Sequence, residues 1–150
     1  MNGESLEQLF RSTISEYLLT GEKLLTQISN EEVMALAIAI NKARKAGGTV
    51  YVAGNGGSAS TASHFATDIG IGSLNRTNPV RSIGLCDNLA AITAIANDME
   101  YSSIFAQQLK LLGKQGDLLI VISASGNSEN LLKAVEVASK LRIESYSLTG

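Results

Sequence analysis

Tryptophan is absent from this 150-residue sequence, and proline, cysteine and histidine each occur once. The single Cys86 cannot close an internal disulfide, a usage that fits a reducing cytoplasm. One Cys and one His also exclude a structural zinc site of the Cys/His kind built within one chain. A strong charge of either sign is missing too: 12 basic residues against 14 acidic ones leave a net charge of −2. That balance argues against nucleic acid or an anionic membrane as the main partner. No apolar run reaches the roughly 18 residues that a membrane span needs, and no signal-peptide pattern opens the chain. There is no internal repeat and no low-complexity stretch. What is present is a single domain, 45% hydrophobic and 17% charged, long enough to bury a proper core.

Apolar residues recur at helical spacing from about residue 4 to 28, through Leu6, Leu9, Phe10, Ile14, Tyr17 and Leu18 to Leu24, Leu25 and Ile28. The adjacent pairs Leu18-Leu19 and Leu24-Leu25 give this helix more than one apolar stripe, so one stripe is left for a partner. Ser29-Asn30-Glu31-Glu32 reads as a capping box, with Ile28 and Val33 as its hydrophobic staple. The next helix is expected to bury Val33, Leu36, Ala37 and Ile40. Lys42, Arg44 and Lys45 suit its last turn, and Gly47-Gly48 ends it. Beyond it, strands at 49–53, 80–85, 118–122 and 143–148 alternate with helices at 58–69, 89–96, 101–112 and 127–141. Apolar strands in that alternation predict a parallel sheet covered on both faces, an α/β fold.

Two turns stand where a strand ends and a helix begins: Gly54-Asn55-Gly56-Gly57-Ser58 and Ser123-Ala124-Ser125-Gly126-Asn127-Ser128. A helix N-terminus offers unpaired N–H groups and partial positive charge, and so favours anions. Open α/β sheets bind ligands at the carboxyl ends of their strands, where both turns fall. A ligand held at both is most simply a phosphorylated sugar. The Ser hydroxyls add hydrogen bonds to phosphate oxygens without adding charge. Ser128 alone, or with Ser125, suffices as a helix cap, and three hydroxyls exceed that need.

Other readings of the same residues stay open. Gly54 to Ala59 also fits the dinucleotide fingerprint G-x-G-x-x-A, which wants an acidic residue about 20 positions on; Asp87 comes later than that. A tight turn with no ligand fits as well. His64 and Asp68, at i and i+4, share a helix face with Ser60 and Thr61, opposite Ala59, Ala62, Phe65, Ala66 and Ile69. They form either a solvated pair or a site for metal binding or proton transfer. Asn97-Asp98 is either a helix end or a grip on sugar hydroxyls. Arg76 and Arg81 read as solvated, and Cys86 as a small buried residue.

The motifs Ala53-Gly54-Asn55-Gly56-Gly57-Ser58, His64-Phe65-Ala66 with Asp68, and Ala94-Ile95-Ala96-Asn97-Asp98 occur in order along the chain. Gly116-Asp117, Ile122-Ser123-Ala124-Ser125-Gly126-Asn127-Ser128 and Ser147-Leu148-Thr149-Gly150 follow. Together they resemble the sugar isomerase (SIS) domain family, and within it the phosphoheptose isomerases. The resemblance implies a flavodoxin-like three-layer α/β/α parallel sheet preceded by two N-terminal helices. It divides one SIS domain, 1–150, into a helical oligomerisation segment (about 1–46) and a sugar-phosphate-binding part (47–150). It implies a homotetramer and contacts to a phosphosugar from Asn55, Gly56, Gly57, Asn97, Asp98, Ser123 to Ser125 and Ser128. Ser58, Gly126 and Asn127 complete the expected binding turns.

The resemblance further implies a zinc ion on His64 and the acid at 68, which would also serve catalysis. The implied reaction converts sedoheptulose 7-phosphate to a glycero-manno-heptose 7-phosphate through an enediol. Three departures accompany it. Asp68 stands where the family has Glu, and Gly72 where the heptose isomerases usually have Arg. The family also continues past the position of Gly150 through a strand and a helix that supply a Gln and a His. The alternative to an isomerase is a non-catalytic SIS module that binds a sugar phosphate or scaffolds a partner such as a replication initiator.

Overall fold

In the computed structural model, which describes residues 5–150, helices alternate with four strands in the order that the sequence pattern predicts. Two helices come first, α1 (Leu6–Thr26) and α2 (Asn30–Lys45). Then come β1 (Thr49–Gly54), α3 (Gly57–Ile71), β2 (Arg81–Gly84) and α4 (Leu89–Asp98). A 3-10 turn (Tyr101–Ser103), α5 (Ile104–Leu112), β3 (Leu118–Ser123), α6 (Glu129–Lys140) and β4 (Glu144–Thr149) complete it. The helix expected over 101–112 therefore begins as a 3-10 turn. The expected helix start at residue 4 lies outside the described residues. The chain divides into two compact units, one ending at Ala35 and one running from Leu36 to Gly150.

In the first unit the reciprocal capping box sits at α1. Gln8 N–H donates to Ser5 Oγ (3.3 Å), and Ser5 N–H donates to Gln8 Oε1 (3.0 Å). At Ser29 only half of the expected box forms: Glu32 N–H donates to Ser29 Oγ (3.2 Å), while the hydroxyl donates to Glu31 Oε2 (3.1 Å). Ile28 and Val33, the expected staple, are each more than half exposed.

The second unit is built on one parallel sheet in the order β2-β1-β3-β4. This is the doubly-wound order whose strand direction of growth reverses between β1 and β3. Alternation along the two central strands feeds two cores. Val50 and Val52 of β1, with Leu118 and Ile120 of β3, pack under Ala62 and Ala66 of α3 and Ala39 and Ala43 of α2. Tyr51, Ala53, Leu119 and Val121 face the other way, onto Phe105 and Leu109 of α5 and Leu131, Ala134 and Ala138 of α6. Each large side chain so buried contributes about 1.5–3 kcal/mol. The buried stripe of α2 runs through Leu36, Ala39, Ile40 and Ala43 rather than the expected Val33, Leu36, Ala37 and Ile40. The expectation of strands apolar throughout holds for β1 and β3 only. Edge strands β2 and β4 carry Arg81, Ser82, Glu144 and Ser145 and are largely exposed.

A polar tie at the amino ends levels the two central strands. Asp117, 3% exposed, accepts the N–H groups of Thr49 and Lys114, both at 2.8 Å. Gly48 lies so close to Gly116 that a Cβ there would run into the Gly116 carbonyl oxygen. From this anchor the register runs Val50↔Leu118 to Gly54↔Ile122, so β1 and β3 end side by side.

Candidate functional site at the ends of the central strands

The helices α3 and α6 start directly above these neighbouring strand ends, and neither start is capped by a side chain. Gly56 is the N-cap of α3, with φ 54° and ψ −122°, a conformation that in practice needs glycine. Gly57 is the first helical residue. Gly54 lets the helix start sit against the strand: a Cβ there would meet the backbone oxygen of Ser58 at 2.5 Å. The first backbone N–H groups of α3 are thus close to the sheet and free of any side-chain cap.

The second turn is more polar. Ser128 occupies the N-cap of α6, yet its hydroxyl makes no capping bond. It lies 3.4 Å from Ser123 Oγ, which is in turn 3.4 Å from Ser125 Oγ. Gly126, at φ 65°, donates its N–H to Ser123 Oγ (3.1 Å), and Asn127 N–H donates to Ser125 Oγ (3.3 Å). Three hydroxyls facing one another, above an uncapped helix N-terminus, form a neutral cup for a tetrahedral anion. A cleft of about 230 Å³ opens there, lined by Asn55, Ser58, Ile122, Ser123, Ala124, Ser125 and Ser128. Of the expected residues, Asn55, Ser58, Ser123, Ala124, Ser125 and Ser128 therefore meet around one cavity, while Gly56, Gly57, Gly126 and Asn127 shape the turns without lining it. The capping role open to Ser128 is not the one it takes.

Two residues missed in the sequence complete the wall. Asn130, in the first turn of α6 and 3% exposed, exchanges two hydrogen bonds with Asn55 (2.9 and 2.8 Å). Tyr101 donates its hydroxyl to Asn55 Oδ1 at 3.1 Å. A neighbouring cleft of about 570 Å³ is lined by Asn55, Tyr101, Ser102, Ser128, Glu129 and Asn130. Lys133, one turn along α6, donates to Glu100 Oε1 (2.5 Å) and Ser102 Oγ (2.7 Å). The bonds from Lys133, Ser103 and Ser102 hold the Glu100 carboxyl down at about 2. An amide side chain two positions past the Ser128 cap is the available sequence signal for Asn130.

The other expected site residues lie apart from this cleft. His64 and Asp68 do share a face of α3, with His64 Nε2 3.3 Å from Asp68 Oδ2, but both side chains are more than two-thirds exposed. Neither lines the cleft. The helix rise of 1.5 Å per residue carries the outward face away from the turn. Asn97 and Asp98 are the last residues of α4, where Asn97 Nδ2 donates to Asp98 Oδ1 (2.8 Å); they form the helix end and do not line the cleft. An imidazole nitrogen and a carboxylate oxygen are donors that zinc accepts, but a catalytic zinc takes three protein ligands. Among the described residues no third His, Cys, Asp or Glu joins this pair. The pair alone does not fit a resident zinc. Cys86 is half-buried rather than fully buried, its Sγ donating to the Gly54 carbonyl (3.3 Å), and burial pushes its thiol pKa up. No helix among the described residues is long and apolar enough to cross a membrane.

The SIS domain matches residues 16–150. Phosphoheptose isomerase of Thermodesulfovibrio yellowstonii is 41% identical over 145 residues, which cover 96% of this chain and 64% of that protein. A probable phosphoheptose isomerase of Thermoplasma acidophilum is 34% identical over 90% of this chain and 74% of its own length. The structure of a phosphoheptose isomerase from Francisella tularensis superposes with a TM-score of 0.85 at 33% identity, covering 97% of this chain and 76% of that one. The chain thus spans about two thirds to three quarters of these relatives.

Proposed function

The chain belongs to the SIS domain family, among the phosphoheptose isomerases, and from that premise we propose that it serves aldose–ketose isomerisation of a phosphorylated sugar. The substrate proposed is sedoheptulose 7-phosphate and the product a glycero-manno-heptose 7-phosphate. The observation that carries this reading is the cup of Ser123, Ser125 and Ser128 at an uncapped helix start, beside the uncapped start of α3. Oriented N–H groups and hydroxyls there anchor the phosphate. That remote binding energy then positions the carbonyl end of the sugar. The name of the relatives supports the sugar phosphate, and the single Cys86 supports a cytoplasmic setting.

The reaction moves one proton between adjacent carbons and one between their oxygens, so it needs no oxidant or reductant. A base removes the proton beside the carbonyl while an acid protonates the oxygen, giving the enediol; each group contributes about 10²–10⁴-fold. We assign the base role to Asp68 and the second acid–base role to His64, which is in contact with it. Zinc enters this proposal only as an ion held in part by these two residues with a further donor, and no step is routed through it. Asp68→Asn in the intact protein is expected to lower turnover of sedoheptulose 7-phosphate by about 10²-fold or more while leaving its binding intact. Unchanged turnover would remove Asp68 from the mechanism.

The exposure of His64 and Asp68, away from the cleft, favours a second reading in which the chain is a non-catalytic module for a sugar phosphate or a partner protein. In that case the unaltered protein is stabilised against heat by sedoheptulose 7-phosphate and turns none of it over.

A further inference from the structure

We propose that Asn130 is a positioning residue that fixes how the Asn55 side chain faces the cleft, and so which group of a bound sugar Asn55 can meet. The inference rests on the reading of the Ser123–Ser128 cup as the phosphate anchor. Burial of an amide is costly unless its donors and acceptors are matched. Asn130 meets that demand with Asn55, a side chain that, like Ser128, lines both clefts. The two residues are 75 positions apart, so their paired bonds tie the β1–α3 turn directly to the first turn of α6.

The pairing also decides what Asn55 shows the ligand. Its Oδ1 accepts from Asn130 Nδ2 and from the Tyr101 hydroxyl, so both lone pairs are used. Its Nδ2 gives one N–H to Asn130 Oδ1 and keeps the other. Asn55 therefore offers the cleft a donor and no acceptor. Such a group suits a sugar hydroxyl or carbonyl oxygen and rejects an ammonium group. Tyr101 is held from below, since Lys133 of α6 binds both Glu100 and Ser102 on either side of it.

Calorimetric titration with sedoheptulose 7-phosphate and with inorganic phosphate tests the role. Asn130→Ala is expected to weaken sedoheptulose 7-phosphate about tenfold, the worth of one oriented hydrogen bond, while inorganic phosphate, seated in the serine cup alone, keeps its affinity. In an Asn55→Ala background, Asn130→Ala is expected to add nothing, because it acts only through Asn55. Tyr101→Phe removes one hydroxyl from an exposed ring and cannot unfold the protein. It is expected to weaken the sugar phosphate about two- to fivefold, and it decides the matter if Asn130→Ala does not fold. Equal weakening of both ligands, or additive effects in the double variant, would mean a merely structural Asn130 and overturn the proposal. Retained sugar-phosphate affinity in both Asn130→Ala and Tyr101→Phe would overturn it alone. An unaltered protein that binds neither ligand would overturn the functional reading and this role with it.

Discussion

A hydroxyl at a helix start has two uses, and Ser128 shows how the choice is made. As a cap it would satisfy a backbone N–H of α6; here it turns to Ser123 and leaves that N–H without a side-chain partner. Loss of a true Ser cap costs about 1 kcal/mol. Ser128→Ala is therefore expected to cost under about 0.5 kcal/mol in urea unfolding yet to weaken sugar-phosphate binding about tenfold. A loss of stability as large as that of a true cap would show the hydroxyl to be structural. Glu100 carries the pH-sensitive contact of the site wall. Its carboxyl is held at about 2, below the ordinary 4.5, chiefly by the Lys133 hydrogen bond. A depressed folded value means that its contribution is present above about pH 4.5 and is lost as pH falls through 2. In a ¹³C titration the Glu100 carboxyl signal is expected to move near pH 2. A midpoint near 4.5 would mean that the Lys133 clasp is open.

At the scale of elements, helices and strands followed from periodicity with ends displaced by one to three residues, because end residues are fixed by caps and close approaches that periodicity does not record. The capping box of α1 at Ser5-Leu6-Glu7-Gln8 closes with Gln rather than Glu, and either residue serves. The stripe of α2 drifted because Ala39 and Ala43, small enough to let a helix sit against the sheet, displaced larger Val33 from the buried face. The turn before β3 does more than its Gly-Asp sequence announces. Asp117→Ala would leave the N–H groups of Thr49 and Lys114 without their acceptor, one of them buried. We expect a loss of about 2–4 kcal/mol in urea unfolding, and with it slippage of the level ends of β1 and β3. A loss within 0.5 kcal/mol, a size ordinary for surface changes, would show that strand pairing alone sets the register.

On the scale of the whole molecule, the order β2-β1-β3-β4 puts the reversal of strand order, where open α/β sheets bind ligands, at the β1/β3 boundary, and the two polar turns lie there around a cleft. The same scale governs assembly. Helix α1 buries none of its own residues, and Leu18, Leu19, Leu24 and Leu25 are each more than half exposed. We propose that a second copy covers this apolar surface, in keeping with a homo-oligomer, most simply a tetramer. Sedimentation velocity at micromolar concentration is expected to show a mass at least twice 15.8 kDa, and a monomer there would end the proposal.

Sequence by itself determined the layers of this protein, its parallel sheet and the two polar turns at the ends of its central strands. Apolar period and glycine placement are local constraints, and local constraints are written in consecutive residues. Only the tertiary structure decided that Asn55 and Asn130 are partners, that Ser128 leaves its helix uncapped, and that His64, Asp68, Asn97 and Asp98 stand away from the cleft. Those facts depend on which strands lie side by side and how far each helix carries a side chain from its start, distances that no spacing along the chain encodes.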